Sequence, residues 1–395
     1  MTQSSDKYSR TRKVSGYLPA IFAVPAFLIP FILYIKTLET KLVGGDTSWF
    51  AVQVPKMEVL APTGYPSFSI FAKLFTFIPI KDLAYRLNLL SAVFASLAVL
   101  FLYLALNRYL KNAAAAFAGA LTFAFIISFW SIANRFELDA INCFFLALLL
   151  FSIFLYRENP CRKYAYFVAA CFGLSLTDHP LTLFIVPPLF FYFLIIKPPV
   201  FKSAKTILLG IMYFILPLSL YAFLPVRSLQ GYGNVTTLKG FFYYITGRYT
   251  TGEVHGGSFF DKDLANFISV AKEFFIIIYR NFGPVLLLIA LAGLVYLFKK
   301  DIKFAVCSLV FILFNLVIIT QFIGWAPQNH ILFSMTVITI YISMGFLVIY
   351  DLCKNLLLRL EKKHEEKLKK DTSSQPDLEI INNKSKNNNA ATLLK

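Results

Sequence analysis

The sequence predicts an all-α polytopic membrane protein of about ten transmembrane helices, with short interfacial helices in its first outer loop. Three observations carry that fold class. The 395-residue chain is 58% hydrophobic and only 15% charged, whereas soluble domains run nearer half apolar and a quarter charged. Apolar runs of the roughly 18 residues or more that a bilayer crossing requires recur along most of the length. Between them, Lys and Arg gather in compact clusters at alternate connections, the asymmetry that orients spans in a membrane. The formal charge of +17 is therefore assigned to topology, and no nucleic-acid partner is expected, although such a charge on a soluble domain would suggest one. The five cysteines show no pairing pattern, so no structural disulfide is expected.

Residues 1–16 form a polar, basic segment (Lys7, Arg10, Arg12, Lys13) ahead of a first span at 17–35. That run is too long for a cleaved signal peptide, and no small-x-small cleavage site follows it. Further spans are expected at 87–107, 113–132, 139–156, 164–178, 181–196, 206–224, 282–298, 304–322 and 331–352. Arg108/Lys111, Arg157/Arg162/Lys163, Lys197/Lys202/Lys205 and Lys299/Lys300/Lys303 mark the cytoplasmic connections, which puts both termini in the cytoplasm. The spans at 164–178 and 181–196 are short and meet at Asp178-His179-Pro180. Residues 17–352 thus form one membrane domain. Residues 353–395 form a basic tail, opening with the charged amphipathic EKKHEEKLKK and continuing into an Asn/Ser/Lys-rich, largely disordered stretch. The chain shows no internal repeat, Gly-rich phosphate loop or metal-spaced Cys/His set, so no metal site is assigned.

This topology sorts the polar residues. The outer loops, 37–86, 133–138, 178–180, 225–281 and 323–330, hold Asp46, Glu58, Lys73, Arg86, Arg135, Glu137, Asp178, His179, Arg227, Arg248, His255 and His330. Span midpoints are nearly free of charge, whereas ion-coupled transporters place ionisable groups near the bilayer midplane. The pattern suits a site at the outer membrane surface that works on a lipid-held substrate. In VGGDTSWF, Gly44 and Gly45 permit close backbone approach in front of Asp46. That carboxylate either accepts a proton from an attacking hydroxyl or caps the helix that begins at Thr47-Ser48-Trp49. Residues 66–80, PSFSIFAKLFTFIPI, have too many breaks to span and are expected to lie along the interface.

VGGDTSWF, APTGYPSFSIFAKLF, AYRLNLLSAVFASLAVL, FWSIANRFELDAINCFFLALLL, GLSLTDHP, FLPVRS and GFFYYITGRY, in this order over about residues 40–250, resemble the protein O-mannosyltransferase-like membrane family. Its eukaryotic member glycosylates plexin-type ectodomains in the endoplasmic reticulum, and most of its bacterial members are uncharacterised. The family is similar to the GT-C glycosyltransferases, which move a sugar from a polyprenyl-phosphate carrier to an acceptor outside the cytoplasm. The resemblance implies a GT-C-like fold and a mannose-like sugar passed to a hydroxyl acceptor on the extracytoplasmic face. Asp46 falls on the family's first-loop acid and becomes the general base, and Glu137 falls on a second acid that positions the acceptor. Arg86 with Asn88, His179 within Asp178-His179, and Arg248 within Thr246-Gly247-Arg248 fall on further family motifs and are implied to hold substrate or phosphate. Arg227 and His330 join them as candidates. Pro62, Gly64, Tyr65 and Pro66 shape the loop beside Gly44 and Gly45. The implied partners are membrane lipid and the lipid-linked sugar, which is a substrate; no cofactor is assigned. The expected location is a bacterial inner membrane, or the endoplasmic reticulum in a eukaryotic host, where Asn234-Val235-Thr236 would be a glycosylation sequon. The chain departs from the family at Trp49, Ala61 and His330, where Glu, His and Arg are usual. The competing readings are a lipid-linked sugar transporter and an inactive assembly subunit.

Overall fold

A computed structural model describes residues 3–43, 46–179, 182, 186–196, 202–246, 264–322 and 327–373, and every regular element among them is helical. The order is α1 (Gln3–Lys36), α2 (Asp46–Gln53), a 3-10 turn (Val54–Lys56), α3 (Pro66–Thr76), α4 (Leu83–Leu110), α5 (Ala113–Phe125), α6 (Ile127–Ala133), α7 (Asp139–Glu158), α8 (Arg162–Leu176), α9 (Pro187–Ile195), α10 (Ala204–Leu218), a 3-10 turn (Ser219–Ala222), α11 (Phe223–Leu229), α12 (Leu238–Ile245), α13 (Leu264–Lys300), α14 (Ile302–Phe322), α15 (Pro327–His330) and α16 (Leu332–Ser373). Two compact units divide this order, residues 1–347 and 348–395.

Each of the ten expected spans falls on described helix, the one at 181–196 only in part, but among the described residues only six helices are long and apolar enough to cross a bilayer, or seven if the pair α5 and α6, bent by 70°, makes one span. The apolar stretch Ala20–Lys36 within α1 is shorter, and α8 and α9 have 15 and nine residues. The expected outer loop 37–86 holds α2 and α3, and α4 starts at Leu83 because Asp82 caps it, its carboxylate accepting from Tyr85 N at 2.9 Å. The expected outer loop 225–281 also contains α11, α12 and the first part of α13. α13 is broken at Gly283 (φ 65°, ψ 174°), ahead of Pro284. Only glycine takes that conformation without strain, and the proline ring cannot continue the helix before it. The expected span at 282–298 is the arm of α13 beyond this break. In the second unit the charged extension continues α16 as helix to Ser373, where the sequence reading placed a largely disordered tail from 353. Glu365 with Lys369 and Glu366 with Lys370 sit four residues apart in the order that supports a helix. Residues 374–395 lie outside the described residues.

Within the first unit α4 is the central element and packs against α1, α5 and α7. Its Ala92, Ala95, Ala98 and Ala105 are fully buried, and such small side chains let helix backbones approach where lipid offers no hydrophobic drive to associate. The helical stretch Ala204–Leu229 that α10 opens is the opposite case: only 6% of its apolar window is buried within the protein, which leaves Leu208, Met212 and Leu216 of α10 for lipid to cover. At the ends of α4, α7 and α9, Asp301 gathers four partners. It accepts from Tyr192 Oη at 3.0 Å and Tyr109 Oη at 3.3 Å, pairs with Arg157 at 2.9 Å, and caps α14 through Phe304 N at 3.0 Å. Glu158 beside it pairs with Arg108 at 2.8 Å and with Lys111. Three residues of the basic clusters are thus held by carboxylates.

α13 and α16 touch through glycines. A Cβ at Gly293 would lie 1.8 Å from Tyr341 O, and one at Gly345 would lie 2.2 Å from Ile289 O. Both obstacles are backbone, so a methyl group must push the helices apart. Gly293→Ala is expected to destabilise by about 1–3 kcal/mol, the range for overpacking. Thermal unfolding in detergent measures this, and an unchanged melting temperature would show that the pair has slack.

Candidate functional site

Three connections and one short helix meet around the N-terminus of α7. The first is the loop 134–138. Asn88 of α4 is fully buried; its amide donates to Glu39 O at 2.7 Å and Lys41 O at 3.2 Å, and its Oδ1 accepts from Phe136 N at 2.8 Å. One turn on, Ser91 accepts from Glu137 N at 3.0 Å and bonds Glu137 O at 3.2 Å. These contacts hold the segment leading to Asp46 and the loop carrying Glu137 to one helix. Glu137 pairs with Arg135 at 3.1 Å.

Asp139 follows as the first residue of α7, 6% exposed. A carboxylate there faces the positive end of the helix dipole. Asn142 and Asn329 hydrogen-bond it, and His330 and Arg135 lie near it.

The second connection is the turn that ends α8. Thr177 Oγ1 lies 2.5 Å from Ser67 Oγ, and Ser67 N donates to Thr177 O at 3.2 Å, tying α8 to the start of α3. Asp178 comes next, 0% exposed, and among the described residues neither of its oxygens has a hydrogen-bond partner. Burial, and after it the neighbouring Asp139, push its carboxyl well above the usual range. His179 lies 6.2 Å, ring to ring, from His330 of α15. Burial and then His330 push it down to about 3, so it is a neutral imidazole at physiological pH.

The third connection is the turn 61–66. Gly64 takes φ 89° and donates to Ala61 O at 2.7 Å. Its missing side chain matters, because a Cβ would stand 2.5 Å from Leu224 Cδ2. Tyr65 follows at φ 40°, its hydroxyl on Pro62 O at 3.2 Å and its ring 5.6 Å from His179, and Pro66 opens α3. The turn thus delivers an aromatic face to His179.

The structure therefore brings Tyr65, Glu137, His179 and His330 to one end of the bundle. Arg86 and Arg227, singled out as phosphate ligands, brace other loops. Arg86 donates to Thr76 O at 2.6 Å, Ile78 O at 3.3 Å and Asp82 O at 3.1 Å. Arg227 donates to Lys56 O at 2.6 Å, Met57 O at 2.8 Å and Gln230, with Tyr232 4.2 Å beneath it. Asn88 is the bracket described above. Asp46 opens α2, but its side chain, with Gly44, Gly45, Gly247, Arg248 and His255, lies outside the described residues. Trp49 on α2 is 68% exposed. Sequence reasoning did not single out Asp139, whose signal was a carboxylate at the first position of an apolar run, and it carried Asp178 only as the neighbour of His179. Among the described residues no group of three or more His, Cys, Asp or Glu is placed to hold a metal.

Beside this cluster runs an apolar groove of about 330 Å³ between α8, α9 and α10, lined by Ala169, Phe172, Phe190, Phe193, Gly210 and Phe214 among others. Gly210 has nothing within 4 Å of where its Cβ would be, so it widens the groove. Phe172 stands one turn before the end of α8, the helix that leads into Asp178 and His179.

This is an all-helical membrane fold with a polar site at one end of the bundle. Crystal structures of ArnT from Cupriavidus metallidurans share the fold: the undecaprenyl-phosphate-bound form aligns with a TM-score of 0.57 at 13% identity over 82% of this chain and 59% of that one, and the apo form with 0.55 at 12% over 85% and 60%. Residues 46–201 match the family described as protein O-mannosyl-transferase TMEM260 N-terminal domain. Protein O-mannosyl-transferase tmem260 of Dictyostelium discoideum is 27% identical over 74% of this chain, and its Mus musculus counterpart is 30% identical over 55%. The resemblance to the O-mannosyltransferase-like family is thereby borne out. The chain spans 39% and 33% of the length of these two relatives.

The buried carboxyl sets a pH dependence. A group whose pKa is higher folded than unfolded stabilises the fold at low pH and loses that contribution as pH rises toward its folded value. Wild type is therefore expected to lose stability relative to Asp178→Asn as pH increases from about 4, the usual Asp value. Melting temperatures of both proteins between acid and mildly alkaline pH measure this, and parallel curves would contradict the assignment.

Proposed function

We propose that this chain is a membrane glycosyltransferase that moves a mannose-like sugar from a polyprenyl-phosphate carrier to a hydroxyl acceptor on the extracytoplasmic face. The supporting observation is the juxtaposition of the polar cluster around Asp139, Asp178, His179 and His330 with an apolar groove along α8. A lipid-linked sugar has those two halves, a polar head and a long apolar tail. Asp46 takes the proton of the acceptor hydroxyl as its oxygen bonds to the anomeric carbon, and the bond from that carbon to the carrier phosphate breaks with its electron pair on the phosphate. His179, a neutral donor, with His330 and Arg248, meets the charge that develops there. Glu137, held by Arg135, positions the acceptor. In the chain's native membrane, the bacterial inner membrane on this reading, both termini are cytoplasmic, and the shorter helices α1, α8 and α9 complete about ten passes.

The transporter reading requires a polar path through the bilayer. In the long spans the buried hydroxyls of Ser96, Ser152, Ser308, Thr336, Thr339 and Ser343 instead donate to carbonyls of their own helices, so they offer nothing to a passing sugar. This favours chemistry at one face.

Asp46→Asn tests the base. Asn starts helices as well as Asp, so the variant should match wild type in expression and melting temperature. Its transfer from radiolabelled mannosyl-phosphoryl-polyprenol to membrane acceptors should fall by roughly 10²- to 10⁴-fold, the contribution of a general base. A folded variant with normal turnover would remove Asp46 from the chemistry.

A further inference from the structure

Asp178 is the most anomalous side chain in the described residues. It is 0% exposed, and both carboxyl oxygens are buried without a hydrogen-bond partner among those residues. A native fold rarely leaves a buried polar group unpaired, and such a group in a membrane protein marks a place where something else binds. We propose that Asp178 serves the site as a neutral carboxylic acid and that it binds a hydroxyl of the donor sugar. The sugar contact rests on the transfer reading above; the neutral state does not.

The surroundings assign the proton. Asp139 and Cys143 face Asp178 from α7, and Tyr221 faces it from the second 3-10 turn. The Tyr221 hydroxyl is committed to Leu176 O at 2.8 Å. His179 follows in the chain as a neutral ring, with His330 beyond it on α15. None of the groups acting on Asp178 is a lysine or arginine. Asp139, by contrast, has two asparagine donors, the helix dipole, and Arg135 and His330 nearby. A fully buried carboxyl with no cation and no hydrogen-bond donor beside it among the described residues keeps its proton. A neutral acid then offers one O–H donor and one carbonyl acceptor, which is the complement of a sugar hydroxyl. An ionised carboxylate would only accept, and it would repel the phosphate of the same donor. Burial and the raised carboxyl agree with a neutral Asp178.

Two measurements test it on the purified, full-length protein in detergent. The first is the infrared difference spectrum between wild type and Asp178→Asn at neutral pH. It should contain the carbonyl stretch of a protonated carboxylic acid, contributed by wild type alone; its absence overturns the neutral acid. The second is binding of mannosyl-phosphoryl-polyprenol and of bare polyprenyl phosphate. Asp178→Leu should weaken the sugar-bearing lipid by about tenfold, the loss of one buried hydrogen-bonding group, and leave the bare lipid unaffected. Asp178→Asn, which keeps a donor and an acceptor, should weaken it much less. Equal weakening of both lipids by Asp178→Leu, or of neither, overturns the sugar contact. If wild type itself binds neither lipid, the transfer reading fails and takes the sugar contact with it, while the infrared band still decides the proton.

Discussion

The site depends on one buried amide. Asn88 uses both hydrogens and its oxygen at once, on Glu39 O, Lys41 O and Phe136 N. Each of those backbone groups belongs to a connection, and each would be costly to leave unpaired away from water. By satisfying them from the middle of a helix, Asn88 fixes where the chain enters α2 and where it turns into α7. Asp46 lies at the first of these points and Glu137 and Asp139 at the second. An aspartate at position 88 would have no donor for the two carbonyls, and an apolar residue would satisfy none of the three groups. The position therefore demands an amide.

The second constraint is electrostatic. Asp301 and Glu158 are paired with opposite charge, and Arg86 and Arg227 are held by backbone carbonyls. Asp178 stands apart from these, and the rings of Tyr65, His179 and His330 are closely set beside it. The apolar groove lies against α10, a helix that the protein leaves open to lipid.

Much of this was legible in the sequence. The all-helical membrane class follows from composition and run length, and the described part of every expected span falls largely on helix. The loop motif APTGYP announced its turn, because glycine and proline are required where Gly64 adopts φ 89° and Pro66 starts a helix. Gathering His179 and His330 on one face followed from the topology alone. What the sequence hid is set by packing. Run length cannot show that α5 and α6 bend by 70°, although it did show that the passes at α8 and α9 are short. The roles of Arg86 and Arg227 depend on which carbonyls fold beneath them, and a sequence shows charge but not the oxygens it meets. Asp139 and Asp178 reveal themselves only through burial and missing partners, which no spacing rule encodes.

The central claim is that the chain transfers a sugar and does not carry it across the membrane. Proteoliposomes containing the protein, supplied with mannosyl-phosphoryl-polyprenol labelled in the sugar and a hydroxyl-bearing acceptor on the face that carries Asp46, test it directly. The account predicts that label appears on the acceptor in amounts matching the polyprenyl phosphate released, with no exchange of intact lipid-linked sugar between leaflets beyond protein-free vesicles. Accelerated exchange of the intact lipid without labelled acceptor would contradict it and make the protein a transporter.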